Sequence, residues 1–82
     1  MSALEMYLKA ANEAKGMEHK LAIITVRQYI RITQEQDLIN EIEHLNNPDL
    51  LRTLMEAGLN ATLQKAALQR YDDLVKRIAG VR

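Results

Sequence analysis

Residues 20–33 read KLAIITVRQYIRIT, and whether they form a strand or a helix decides the fold. As a strand, Ala22, Ile24, Val26, Ile30 and Ile32 alternate along one side. As a helix, Ile23, Val26 and Ile30 share a face with Ala22 and Tyr29. The run holds no Gly or Pro, and no second strand signal exists elsewhere for it to pair with. An unpaired strand leaves its backbone N–H and C=O groups without partners. The spacing therefore predicts a helix over Glu18 to Arg31, and its β-branched content predicts that this helix is buried.

Four more helices follow from punctuation on either side. Leu4, Tyr7, Leu8, Ala11 and Ala14 recur at three- and four-residue spacing and predict a first helix over Ala3 to Lys15. Ser2 and Glu5 offer it a capping box, and Gly16 a stop. Thr33 and Gln36 repeat the capping pattern before a third helix, Gln34 to Leu45, with Leu38, Ile39, Ile42 and Leu45 on its stripe. Residues 46–60, NNPDLLRTLMEAGLN, then bracket one short apolar segment. Asn47 is an N-cap, Pro48 suits the first helical position, Asp49 faces the positive end of the helix dipole, and Gly58 suits a left-handed stop. A helix of about ten residues is not stable alone and must be held from both sides. Asn60 caps a last helix, Ala61 to Ala79, whose stripe is Leu63, Ala67, Tyr71, Leu74, Ile78 and Val81. Asp72 with Lys76, and Asp73 with Arg77, form acid-first i,i+4 pairs on it. The fold class expected is all-α: about five helices, paired antiparallel, in one domain over residues 1–82.

Eighty-two residues make one domain at most, with a core of modest stability unless the chain associates. There is no Phe, Trp or Cys. The core is aliphatic, and disulfides, thiolate catalysis and Cys-ligated metals are excluded. Charges run throughout the N-terminal segment, so no signal-peptide h-region is present, and no run reaches the ~18 apolar residues of a membrane span. The expectation is a cytoplasmic protein without a membrane partner. Net charge is zero, but its distribution is uneven. Residues 1–34 carry five bases and three acids; residues 35–56 carry six acids and one base; residues 57–82 carry five bases and two acids. The acidic middle is either a set of solvated faces or an orienting device for self-association.

The residue types needed for catalysis are not grouped. Ser2 is the only serine, and no Thr has a neighbouring base. His19 follows Glu18, and His44 follows Glu43; adjacent helical positions point apart, and the His-Glu-x-x-His metal spacing is absent. Glu41 and His44 share a face at i,i+3, as a solvated pair or a metal bridge. Gly16, Gly58 and Gly80 are isolated helix stops rather than a phosphate loop. Asp72-Asp73 and Glu41-Glu43 read as solvated carboxylates, since neighbouring positions do not converge. No enzyme, cofactor or metal is expected.

Two segments are alike at a shift of 36 residues. Asp37-Leu38-Ile39-Asn40-Glu41-Ile42 falls on Asp73-Leu74-Val75-Lys76-Arg77-Ile78, a period typical of helical-pair repeats. TLQKAALQRYDDLVKRIA (62–79) and TVRQYIRITQEQDLINEIE (25–43) resemble degenerate HEAT-like repeats of the leucine-rich-repeat-variant type, in which a helix with an Ala-Ala core leads into an Asp-x-x-Leu-Leu helix. Residues 46–60 resemble the start of such a unit. The resemblance spans residues 25–79, and it departs from the family where, with Thr25 laid on Thr62, bulky Tyr29 and Ile30 stand in the first copy at the places of Ala66 and Ala67 in the second. It implies stacked antiparallel helical pairs over residues 17–82, an N-terminal helix over residues 1–16, and a binding surface rather than an active site.

The function expected is a protein-interaction or assembly module whose partner is another protein or a second copy. Interface cores favour aromatic, Met and Arg side chains. The candidate interaction residues are Tyr7, Arg27, Tyr29, Arg31, Arg52, Met55, Arg70 and Tyr71, with core packing the competing role for the Tyr and Met. The alternative is a small helix-turn-helix regulator over residues 34–57, with Pro48 to Ala57 as the reading helix and Arg52 its one base. Lys20, Arg27 and Arg31 would then serve as phosphate contacts. Neutral net charge weighs against that reading.

Overall fold

Capping side chains set the helix boundaries. In the computed structural model, residues 2–80 are described, and they form α1 Ala3–Glu13, α2 Met17–Ile32, α3 Glu35–Glu43, α4 Pro48–Met55 and α5 Ala61–Ile78. No strand occurs among the described residues. The oxygens of Ser2, Asn47 and Asn60 accept from the backbone N–H groups of Glu5, Asp49 and Leu63 at 3.1, 2.9 and 2.9 Å, as N-caps do. The capping box expected at Thr33 does not form. A hydroxyl at the end of a helix has the carbonyl four residues back within reach, and Thr33 donates to Tyr29 O at 2.6 Å. Gln34 takes the N-cap position of α3 without a side-chain bond. Gly16 also differs from expectation: α1 ends before it, with Ala14 as its C-cap, and Gly16 (φ 59°) is the N-cap of α2. That positive φ turns the chain sharply between the two helices. Gly58 (φ 78°) is the left-handed stop expected after α4.

The short helix is the centre of the packing. Four of the eight residues of α4, Leu50, Leu51, Thr53 and Leu54, are buried. α1 lies against one side of it and α5 against another; α1 also packs on α2 and α3, and α5 on α3. α1 contributes Leu4, Leu8 and Ala11 to the core, α3 Leu38 and Ile42, and α5 Leu63, Ala67 and Leu74. The arrangement is a small helical bundle. Val81 lies outside the described residues. The two alike segments differ in local structure: a 36-residue shift lays the break at Thr33 and Gln34 on Gln69 and Arg70, inside continuous α5.

α2 is less buried than its composition predicts. Only Ile23 and Val26 are buried, while Ile24 is 44% and Ile32 82% exposed. The helix has apolar residues around most of its circumference, but α1 and α4 cover only one side.

Polar bonds join the helices at chosen points. Glu41 of α3 accepts from the backbone N–H of Leu4 at 3.1 Å and from the Tyr29 hydroxyl at 2.7 Å. One carboxylate therefore holds the N-terminus of α1, where its charge suits the dipole, and the C-terminal half of α2. It is not the solvated acid expected from the sequence. The same bond, with partial burial added, raises the Tyr29 phenol above its usual pKa. Arg70 of α5 donates through Nε to Leu45 O at 2.9 Å, through Nη2 to Asn46 Oδ1 at 3.0 Å and through Nη1 to Asp73 at 3.2 Å. It clasps the α3–α4 connection.

Replacing Glu41 by Ala leaves both the Leu4 N–H and the Tyr29 hydroxyl unpaired, and is expected to lower unfolding free energy by about 2 kcal/mol. Tyr29→Phe removes one bond of the two and is expected to lower it by about 1 kcal/mol. Urea denaturation of the three proteins measures both; equal losses would show that the Leu4 bond adds nothing.

Candidate interaction surface

Helical geometry places every third or fourth residue on one side. On the outer side of α2 those residues are Met17, Leu21, Ile24, Gln28 and Ile32, with Thr25 beside them, all exposed. Met17 is 69% and Leu21 56% exposed. On α1 the residues turned the same way are Ala3, Met6, Tyr7 and Ala10, again all exposed. α1 and α2 run antiparallel, because His19 at the start of α2 meets Ala11 late in α1 at 2.7 Å, while Tyr29 near the end of α2 meets Tyr7 with ring centroids 5.4 Å apart. The hairpin thus presents ten exposed uncharged residues on one side, with exposed Glu18, seven residues before Thr25, at the edge of the stripe nearer α1. Lys9 and Glu13 stand along its α1 margin, and Lys20, Arg27 and Arg31 along its α2 margin. Solvent-exposed apolar surface gathered into one patch marks a contact site far more than the same residues scattered singly.

A groove of about 400 Å³ opens in this face, lined by Tyr7, Thr25, Gln28, Tyr29, Arg31 and Ile32. Its wall includes the tilted Tyr7–Tyr29 pair (52° between planes), and the Tyr29 hydroxyl donates from behind it to Glu41. Along the α2 margin of the face, on the side toward α4, a second depression of about 410 Å³ is lined by His19, Lys20, Ile23, Ile24, Arg27 and Glu56. Here Arg27 Nε donates to Ala57 O at 3.0 Å, a cation at the carbonyl end of α4. His19 Nε2 meets Glu56 Oε1 at 2.8 Å while Nδ1 meets Ala11 O. Both partners are acceptors, so both bonds are complete only when the ring carries two protons. The Glu56 carboxylate, with help from the Ala11 carbonyl, raises the His19 pKa above 6.5.

Of the eight candidate residues, Tyr7, Tyr29 and Arg31 come together at the groove. Arg27 is turned toward the end of α4. Arg52 is exposed and pairs with Asp49 at 3.5 Å. Met55 and Tyr71 are partly buried against the core, and Arg70 is committed to the α3–α4 connection. Leu21, Ile24 and Ile32 were not among the sequence candidates. The available signal was in residues 20–33, where helix and strand readings both found apolar stripes because more than one side of the helix is apolar. A smaller exposed stripe, Leu68, Val75 and Ile78, lies on α5. His44 Nδ1 meets Asn40 O at 2.7 Å, and no group of three metal-ligating side chains exists among the described residues. Nor is any described helix long and apolar enough to cross a membrane. Comparison with known protein families, curated proteins and solved structures finds no match.

The His19 contacts make stability depend on pH in a set direction. A histidine whose folded pKa is raised contributes stability that is complete below the unfolded value of 6.5 and is lost as pH rises through the folded value. Urea midpoints of the wild-type protein are therefore expected to fall as pH climbs above 6.5. His19→Gln is expected to flatten that window, leaving only the remaining groups to titrate; a slope that survives the substitution would assign it elsewhere.

Proposed function

We propose that this protein is a non-catalytic protein-interaction and assembly module that works through the α1–α2 face and associates with itself. The observation that supports the reading is the exposed, mainly apolar outer side of α2, with Met17, Leu21, Ile24 and Ile32, continuous with Ala3, Met6, Tyr7 and Ala10 of α1. A chain this short buries a limited fraction of its surface, and covering a second apolar face by association adds stability that its own core cannot supply. The resemblance to HEAT-like helical pairs is part of the same proposal, since such proteins bind through helix faces. The carboxylates and histidines with tertiary contacts, Glu41 and His19, tie helices together, which suits a scaffold.

Ile24 and Leu21 separate association from folding, because both are exposed and outside the core. Light scattering on a sizing column is expected to give a mass that rises with concentration for the wild-type protein. Ile24→Glu and Leu21→Glu are expected to stay at monomer mass with stability changed by about 0.5 kcal/mol or less. A wild-type mass that stays monomeric at every concentration would remove self-association from the reading.

Duplex DNA binding is the second reading, favoured by the row Lys20, Arg27 and Arg31 along one edge of α2. It expects a fluorescent duplex to bind at low salt, with binding weakened several-fold by Arg31→Ala and by added salt. An anisotropy titration that stays flat at low salt would rule it out.

A further inference from the structure

The charges beside the α1–α2 face select one way for two copies to meet. Most homodimers are two-fold symmetric and use the same patch on both subunits. Two such axes can bring one hairpin face onto another. With the axis across the helices, α2 packs on α2 and α1 on α1. The row Lys20, Arg27 and Arg31 then meets its own copy, and like charges oppose one another across an interface. With the axis along the hairpin, α2 of each copy packs on α1 of the other, antiparallel to it, and the basic row faces Lys9 and Glu13, one base and one acid, instead of a second basic row. A rotation about that axis leaves every residue at its own height. Glu13 is the last residue of α1, and Lys20 is in the first turn of α2, so the two stand at the same end of the hairpin, on opposite margins. The His19–Ala11 contact fixes that level. The rotation brings Glu13 of one copy to Lys20 of the other, and the reverse.

We infer that this protein forms a two-fold dimer in which two α1–α2 hairpins make a four-helix layer, each α2 lying on the other copy's α1, with two Glu13–Lys20 ion pairs between copies. The inference rests on the reading of the α1–α2 face as a self-association surface. Neither side chain has an ion pair or hydrogen bond among the described residues, and both are exposed. They are free to act between copies, and changing them leaves the fold of each copy intact. Leu21 and Ile24 fill the space between the margins.

Charge exchange tests the arrangement. Glu13→Lys sets lysine against Lys20 twice in its own dimer, and Lys20→Glu sets glutamate against Glu13 twice. Each single variant is expected to dimerise on the order of tenfold more weakly than wild type. An equimolar mixture restores both opposite-charge pairs in the mixed dimer. Native mass spectrometry is expected to show heterodimer well above the statistical half, and the double variant E13K/K20E is expected to recover wild-type affinity. Wild-type protein that is monomeric throughout overturns the reading and the inference together. A wild-type dimer whose single variants bind as tightly as it does, or whose mixture shows no excess heterodimer, overturns this arrangement and leaves self-association standing.

Discussion

The Glu41 carboxylate is the constraint on which the arrangement of the N-terminal half depends. It sits on α3, a nine-residue helix, and its two oxygens reach two other helices, the start of α1 at Leu4 and the middle of the polar seam at Tyr29. Aliphatic side chains drive α1, α3 and α4 together without direction. A partly buried carboxylate with two donors in place has direction, and it is harder to satisfy in any other packing of the same helices. The bond to Tyr29 also sets the tilt of that ring against Tyr7, so the wall of the outer groove inherits its shape from an interaction on the inner side.

The rest of α2 is located by two more contacts, one at its start and one past its middle. His19 and Arg27 reach the C-terminal end of α4 through Glu56 and Ala57, where the helix dipole favours cations. α2 is thereby held along its inner side at both ends, and Ile23 and Val26 complete the seal between. Its outer side is left with no helix over it. A sixteen-residue helix packs against eleven- and eight-residue neighbours, and among the described residues no other helix lies over that side. A second hairpin from another copy has the right length and the same apolar character.

Charge plays a different part on the inside and the outside of this molecule. Inside, Glu41, His19, Arg27 and Arg70 each bridge two elements and are spent on backbone ends or side-chain acceptors. Outside, Glu13 and Lys20 stand at the two margins of a mainly apolar face, and Arg31 reaches the groove within it. Such margins contribute little to affinity, while they strongly influence which partner orientation is allowed. The exposed apolar residues of α5 form a shorter stripe, and Asp72 with Lys76 and Asp73 with Arg77 pair alongside it at 3.1 Å, so its charges are already satisfied within the helix.

Much of the fold is determined by the sequence itself. Caps at Ser2, Asn47 and Asn60, the Pro48 start and the Gly58 stop are local chemistry, decided within three or four residues, and each works as its residue type dictates. So does the all-α class, because residues 20–33 had no strand to pair with. Tertiary structure decided what local chemistry cannot. Thr33 had two uses within reach, a cap or a bond back to Tyr29, and the end of α2 selected the second. Glu41 looked like one more acid on a polar helix until α1 and α2 arrived beside it. Which side of α2 faces water could not be read from a helix with apolar residues on nearly every side: periodicity reports that a side chain is apolar, and burial depends on whether another helix is there to cover it.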